Sequence, residues 1–397
     1  MQRFAQHYAA FFRLPGVARL LTIALIARMP VGMMSLSMLM HLRELSGSFA
    51  FAGGMVGTYL VAMACTAPIQ GRLIDRYGPL GVLAVTGIVH PAALGLLLFA
   101  GPLHVPLAGI APLTMVAGAF VTPISVLTRT LWRHRFEDAR ERRTAFAIDT
   151  VMIEINFTIG PALIGLALLI GTAADAFTLT WLVAACAAPL FAFSGASRYW
   201  KRAADETRHL AGPLANRRLL VAYATSAALT FAFGMLEVGY PGFASRLGVI
   251  ALGGALLATC SIGSAAGGLA YGALHLALPL ERQLPRLLLA FALLLGAHAF
   301  ARSPWILGPL AFGAGLTIAP ALTVLSLLVT QHAPARYATE AFTWMSTCIV
   351  IGVGAGMAVG GQLVEAIGPW SAFASGTAAV VVSALVSSPL RRPARPG

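Results

Sequence analysis

The chain has 397 residues, of which 58% are hydrophobic and only 10% charged, with a mean hydropathy of +0.82 and a net charge of +13. Soluble domains carry about 25% charged residues, so this chain has too few charges to coat a water-facing surface. The basic balance suggests nucleic acid, but the placement of the charges along the chain argues against that partner.

Apolar runs of about 20 residues, the length that crosses a bilayer as a helix, recur from end to end. They are continuous rather than alternating, which favours helices over barrel strands. Lipid cannot satisfy backbone polar groups, so each run must bond internally. The pattern predicts twelve spans, at 17–41, 50–70, 80–100, 107–130, 144–169, 176–196, 217–241, 249–273, 286–301, 304–330, 340–364 and 370–389. With the N-terminus placed in the cytoplasm, 23 of the 27 Lys and Arg residues fall on the cytoplasmic side. Three, Arg43, Arg246 and Arg302, fall on the other, and Arg28 lies inside a span. That asymmetry follows the positive-inside rule, so the basicity reads as a topology signal.

The basic start Met1–Arg19 leads into a full-length first span rather than a short apolar core with a cleavage site, so no cleaved signal peptide is expected. Arg28 sits about ten residues into span 1, on the order of 15 Å deep. A mid-bilayer arginine costs about 2.5–3.5 kcal/mol, so it needs a partner or a wet cavity. Between spans 2 and 3 lies the polar loop Gly71-Arg72-Leu73-Ile74-Asp75-Arg76-Tyr77-Gly78. Span 4 carries Arg129 and Arg133 at its inner end. Span 5 carries Asp149, Glu154 and Asn156, followed by Gly160-Pro161-Ala162-Leu163-Ile164-Gly165. Glu154 reads as level with Arg28 and is the first choice of partner, either as a working pair or as a static packing contact. The alternative seats Arg28 against backbone carbonyls near Pro30. Asp149 reads as shallower, about 140° around the helix from Glu154, with Asn156 on its own face. Two acids and one base leave one carboxylate without a counter-charge, a group suited to taking up and releasing a proton.

Residues 197–217 form the longest polar stretch and divide the chain into 1–196 and 218–397, six spans each. The two parts echo each other. Gly32-Met33-Met34 aligns with Gly234-Met235-Leu236, Gly53 and Gly71 with Gly254 and Gly272, and Ala145-Phe146 and Gly160 with Ala341-Phe342 and Gly356. Glu237, near the outer end of span 7, reads either as a gate carboxylate or second proton site, or as a surface acid. The cysteines Cys65, Cys186, Cys260 and Cys348 lie in four different spans and suggest neither disulfides nor a metal site. His90 and His298 read as packing residues.

The spacing G-x-x-x-D-R-x-G, placed after two spans, resembles the loop between the second and third helices of the major facilitator superfamily of transporters. The resemblance implies an all-α membrane protein with twelve transmembrane helices in two pseudo-symmetric six-helix bundles, working by alternating access. It makes spans 1 and 5 neighbours. It places Phe120, Phe157, Tyr223, Phe231, Phe233, Tyr240, Phe342 and Trp344 on cavity-lining spans. It also implies a cytoplasmic gate of Gly71, Asp75, Arg76 and Gly78 meeting the start of span 11 at Glu340, with Arg129 and Arg133 completing the network. The sequence departs from the family pattern at Pro79-Leu80-Gly81, where basic residues are usual, and at the degenerate second copy Tyr271–His275. The usual span 4 motif, Arg followed by Gln-Gly, is absent too. Gly160-Pro161 partly resembles the signature of proton-driven exporters.

The expected function is proton-coupled export of small amphiphilic molecules. The alternatives are proton symport of a polar or anionic metabolite, which Arg28 would suit, and a non-transporting membrane sensor. No phosphate-binding loop, catalytic triad or metal constellation is visible, so neither an enzyme nor a cofactor is expected, and the proton is the coupling ion. The expected setting is a monomer in a bacterial inner membrane, both termini cytoplasmic, with the lipid bilayer and a small-molecule substrate as partners.

Overall fold

The computed structural model describes residues 11–136, 138–194, 214, 216–273, 278–333 and 338–387. Among these residues the chain is helical with no strand. The helices are α1 (Val17–Ser46), α2 (Phe49–Tyr77), α3 (Pro79–Leu98), α4 (Leu107–Ala119), α5 (Ile124–Arg135), α6 (Ala139–Ile170) and α7 (Ala173–Phe193). After the polar stretch come α8 (Arg217–Arg246), α9 (Ala251–Ala273), α10 (Leu280–His298), α11 (Pro304–His332), α12 (Ala338–Ala366) and α13 (Pro369–Val386). Among the described residues ten stretches are long and apolar enough to cross a membrane, with α4 and the first part of α5 counted together. The described part of the fifth predicted span counts as a shorter apolar helix, Ile155–Ile170, and the ninth is not among the ten because α10 opens with Glu281, Arg282 and Arg286.

Apart from α6 and α10, which begin five and six residues before their predicted starts, the predicted spans match the helices except at the fourth. That span is broken at residues 120–123, where Pro123 ends the N–H ladder and starts α5 afresh. In the first half α1 packs on α6 and α7, α2 on α4, and α3 on α4 and α7. In the second half α8 packs on α12 and α13, α9 on α11, and α10 on α11 and α13. The halves join along two seams, α2 against α12 and α6 against α9.

The sequence echo recurs as geometry. A Cβ on Gly32 would stand 2.1 Å from the Asn156 carbonyl oxygen, and one on Gly160 would stand 2.5 Å from the Gly32 carbonyl carbon. In the second half, a Cβ on Gly234 would stand 2.2 Å from the Val353 oxygen, and one on Gly356 2.1 Å from the Phe231 oxygen. The crossings α1/α6 and α8/α12 are therefore the same backbone-to-backbone contact, which bilayer helices use because lipid gives apolar side chains no reason to leave it.

Gly32→Ala and Gly234→Ala should each cost about 1–3 kcal/mol through forced helix separation. Gly54→Ala, whose Cβ would meet open space, should be neutral or slightly stabilising. Thermal unfolding in detergent checks this, and equal midpoints for all three variants would contradict the packing argument.

Candidate functional site

Arg28 is 1% exposed, and its Nη2 lies 2.7 Å from Oδ1 of Asp149, which is buried equally deeply. This corrects the sequence-based pairing with Glu154. The reason is the true start of α6 at Ala139 rather than 144. Arg28 is eleven residues past the start of α1 and Asp149 ten past the start of α6, so the two stand level. The Glu154 side chain lies outside the described residues. Asn156 is buried as well, and its backbone carbonyl meets Gly32. Removing one member of such a pair strands a charge away from water, whereas the intact pair is close to neutral as a unit.

Glu237 is 8% exposed, which rules out the surface-acid reading. It sits in α8 between Gly234 and Gly239, both tightly packed. The Ser35 side chain of α1 lies beside its carboxylate across the two halves, and the Cys260 thiol of α9 lies within electrostatic reach. Its Oε2 is buried and accepts no hydrogen bond among the described residues.

Ser35 also lines a cavity of about 40 Å³ formed by α1, α2, α3, α7 and the break in the fourth span. Its wall is mostly apolar, with Val31, Met34, Leu60 and Met63, and its polar members are Ser35, Tyr59, His90 and Thr122. All lie near the middle of their spans. His90 is only 3% exposed, and its Nδ1–H donates to the Ala117 carbonyl at 2.8 Å. Sequence reading had assigned it to packing, and its place in the cavity wall was missed because the break in the fourth span was not foreseen.

The aromatic residues scatter. Tyr240 is fully buried, and its hydroxyl donates to His298 Nε2 at 3.0 Å while its ring packs on Phe373. It is a packing residue of the second bundle, which corrects its assignment to the substrate surface. Phe231 packs in the core between the halves, Phe120 and Phe157 are half-buried, and Phe342 and Trp344 stand exposed and half-buried at the start of α12.

Of the expected cytoplasmic gate, the side chains of Asp75, Arg76, Arg129, Arg133 and Glu340 lie outside the described residues. Gly78 joins α2 to α3 at φ +87°, a conformation that side chains resist. Gly71 faces open space, and Leu73 and Tyr77 are 42% and 69% exposed. At the other end of the same helix, Gly53 and Gly57 press on Met357 and Gly354 of α12, and Gly165 of α6 presses on Gly254 of α9. The halves are thus closed at the end remote from the basic loops.

A residue that sequence reading missed holds this closed end. Glu365, in the last turn of α12, accepts hydrogen bonds from the Ser48 hydroxyl and, at 2.8 Å, from the Ala50 N–H at the start of α2. A carboxylate there meets the positive end of the helix. The internal repeat held no signal for it, because span 11 echoes span 5, which has Leu169 at the matching place. Among the described residues no cluster of His, Cys, Asp or Glu could hold a metal ion.

The sequence profile of the Major Facilitator Superfamily matches residues 20–357. No curated protein matches the chain significantly. Among solved structures, a mutant of the nucleoside transporter NupG aligns over 94% of this chain and 99% of its own, with 13% identity and a TM-score of 0.78. The unmutated NupG structure aligns over 96% of this chain and 100% of its own, with 12% identity and a TM-score of 0.73. The human organic anion transporter MFSD10 (TETRAN) covers 94% of this chain and 100% of its own, with 15% identity and a TM-score of 0.63. At these identities the likeness is one of fold.

Asp149→Asn should destabilise the protein by about 3–5 kcal/mol, and the double change Arg28→Met with Asp149→Leu should recover most of it. Thermal unfolding of the three proteins reads this directly. Glu365→Gln should loosen the closed end. With spin labels at the exposed positions Leu103 and Ile367, the distance distribution should gain a longer component, and an unchanged distribution would remove Glu365 from gating.

Proposed function

The chain belongs to the major facilitator superfamily of transporters, and from that premise we propose that it exports small amphiphilic molecules in exchange for protons. It is a multi-pass membrane protein and a transporter rather than an enzyme. The observation that carries the proton half of the proposal is Glu237. An ionised carboxylate held away from water without a counter-charge is expensive, and a bound proton removes that cost. Asp149 already has Arg28 beside it. Glu237 has only the Ser35 hydroxyl and the neutral Cys260 near it among the described residues.

Ser35 gives the proposed proton site a link to the proposed substrate site, because it touches both Glu237 and the mid-span cavity. A proton arriving on Glu237 weakens the hold of its carboxylate on Ser35, and α1 is then freer to shift against α8. The largely apolar cavity wall suits an amphiphilic substrate better than a sugar-like one. The basic loops favour a cytoplasmic location for that end. The closed seams then face outward, the arrangement in which an exporter would load from the cytoplasm. We place the protein in a bacterial inner membrane on the same grounds. Uptake of an anion on Arg28 is the weaker reading, because Asp149 offsets that charge.

In everted membrane vesicles carrying a proton gradient, amphiphilic compounds should collapse the gradient reported by a pH-sensitive dye, whereas sugars should not. Glu237→Gln should still bind these compounds but lose the proton movement. A wild-type response in Glu237→Gln would remove Glu237 from coupling, and silence across the compounds would end the exporter reading.

A further inference from the structure

The break in the fourth span is built, and it is built unevenly. The end of α4 is fully looked after. Gly118 packs so tightly on α2 that a Cβ would stand 2.1 Å from the Tyr59 carbonyl oxygen. The Ala117 carbonyl receives His90 Nδ1–H, and the Ala119 carbonyl receives Gln70 Nε2 at 2.9 Å. Both side chains are more than nine-tenths buried.

The start of α5 receives nothing comparable. Its N-cap is Pro123, which offers no side-chain oxygen. Ile124 N–H bonds the Thr122 carbonyl and Leu127 N–H bonds the Pro123 carbonyl, leaving the N–H groups of Ser125 and Val126 as the donors this first turn presents. Beside them stands Thr122, 9% exposed, whose hydroxyl has no hydrogen-bond partner among the described residues. Thr122 lines the mid-span cavity, together with Val121, His90 and Ser35. A buried hydroxyl left unbonded is costly, and an uncapped helix start draws negative charge.

We propose that this break is a substrate subsite, in which the Thr122 hydroxyl and the first-turn N–H groups of α5 bind the carboxylate head of an otherwise apolar molecule. Among the described residues no Asp or Glu lines the cavity itself, and Glu237 stands behind Ser35. A cavity of about 40 Å³ has room for a head group rather than a whole molecule. The apolar body would extend past Val31, which is 45% exposed. The subsite gives a chemical class to the substrate of the transport reading and rests on that reading for its purpose. It does not depend on Glu237 or on a proton gradient.

The test is equilibrium binding of benzoate to the full chain in lipid nanodiscs, with no gradient, so that a failure of coupling leaves the result untouched. Wild-type protein should bind benzoate saturably. Thr122→Val should weaken binding about tenfold, as expected for one charge-assisted hydrogen bond, and Thr122→Ser should stay within about twofold of wild type. In wild-type protein labelled with ¹⁵N-serine, the Ser125 amide resonance, assigned by its loss in Ser125→Ala, should move on adding benzoate. This readout stands even where the valine variant fails to fold. Absence of saturable binding, an unmoved Ser125 amide, or wild-type affinity in a folded Thr122→Val would each overturn the subsite.

Discussion

Everything in this molecule depends on helices that touch backbone to backbone. In lipid, apolar side chains gain nothing by leaving the solvent, so association rests on close packing, and close packing is limited by the smallest residue at the crossing. Gly32 with Gly160, and Gly234 with Gly356, set the helix spacing inside the two halves. Gly53 and Gly57 against α12, and Gly165 against Gly254, set it between them. The first pair of contacts fixes what each half is. Among the described residues the second lies toward one end of the seams, so it can be made or broken without disturbing the first.

Charges buried inside such a scaffold must be balanced or be able to disappear. Arg28 and Asp149 take the first course, standing level on two helices that Gly32 brings into contact. Glu237 takes the second under our reading. The two sites differ in partner rather than in burial. A static pair of opposite charges resists change on either side, whereas a lone acid beside one hydroxyl changes state with a single proton. Ser35 lies on the face of α1 toward Glu237, and Arg28 lies two turns earlier on the same helix. One span therefore carries both a fixed electrostatic anchor and a variable one.

Much of this was legible in the sequence because lipid makes the code simple. Span number, span ends and the two-part repeat follow from apolar runs and from glycines that recur at nearly constant offset. The aligned residues Gly32, Gly160, Gly234 and Gly356 proved to be the crossing points themselves. What failed was depth and direction. Asp149 was placed too shallow because charges at the start of α6 hid five helical residues. Tyr240 was assigned to the cavity by its span, although its side chain points into the second bundle. The break at 120–123 was invisible because Val121-Thr122-Pro123 reads as an ordinary proline in an apolar run. Only the hydrogen bonds from Gln70 and His90 reveal that the chain stops being helical there.

The end of α12 gives the last step. Helices α2 and α12 are each 29 residues long, about 43 Å as rigid rods, and they meet at one end. There Glu365 satisfies donors at the start of α2. At the far end Asp75 belongs to the last turns of α2. If two such rods pivot about a midpoint, bringing Asp75 toward the start of α12 must draw Glu365 away from the start of α2. Each start has N–H donors to satisfy, so under the proposed gate each closed state would offer one acid a helix end and leave the other acid to water. The two arrangements would then make the same kind of bond at opposite faces, which would keep them close in free energy. A modest load from substrate or proton is then enough to choose between them.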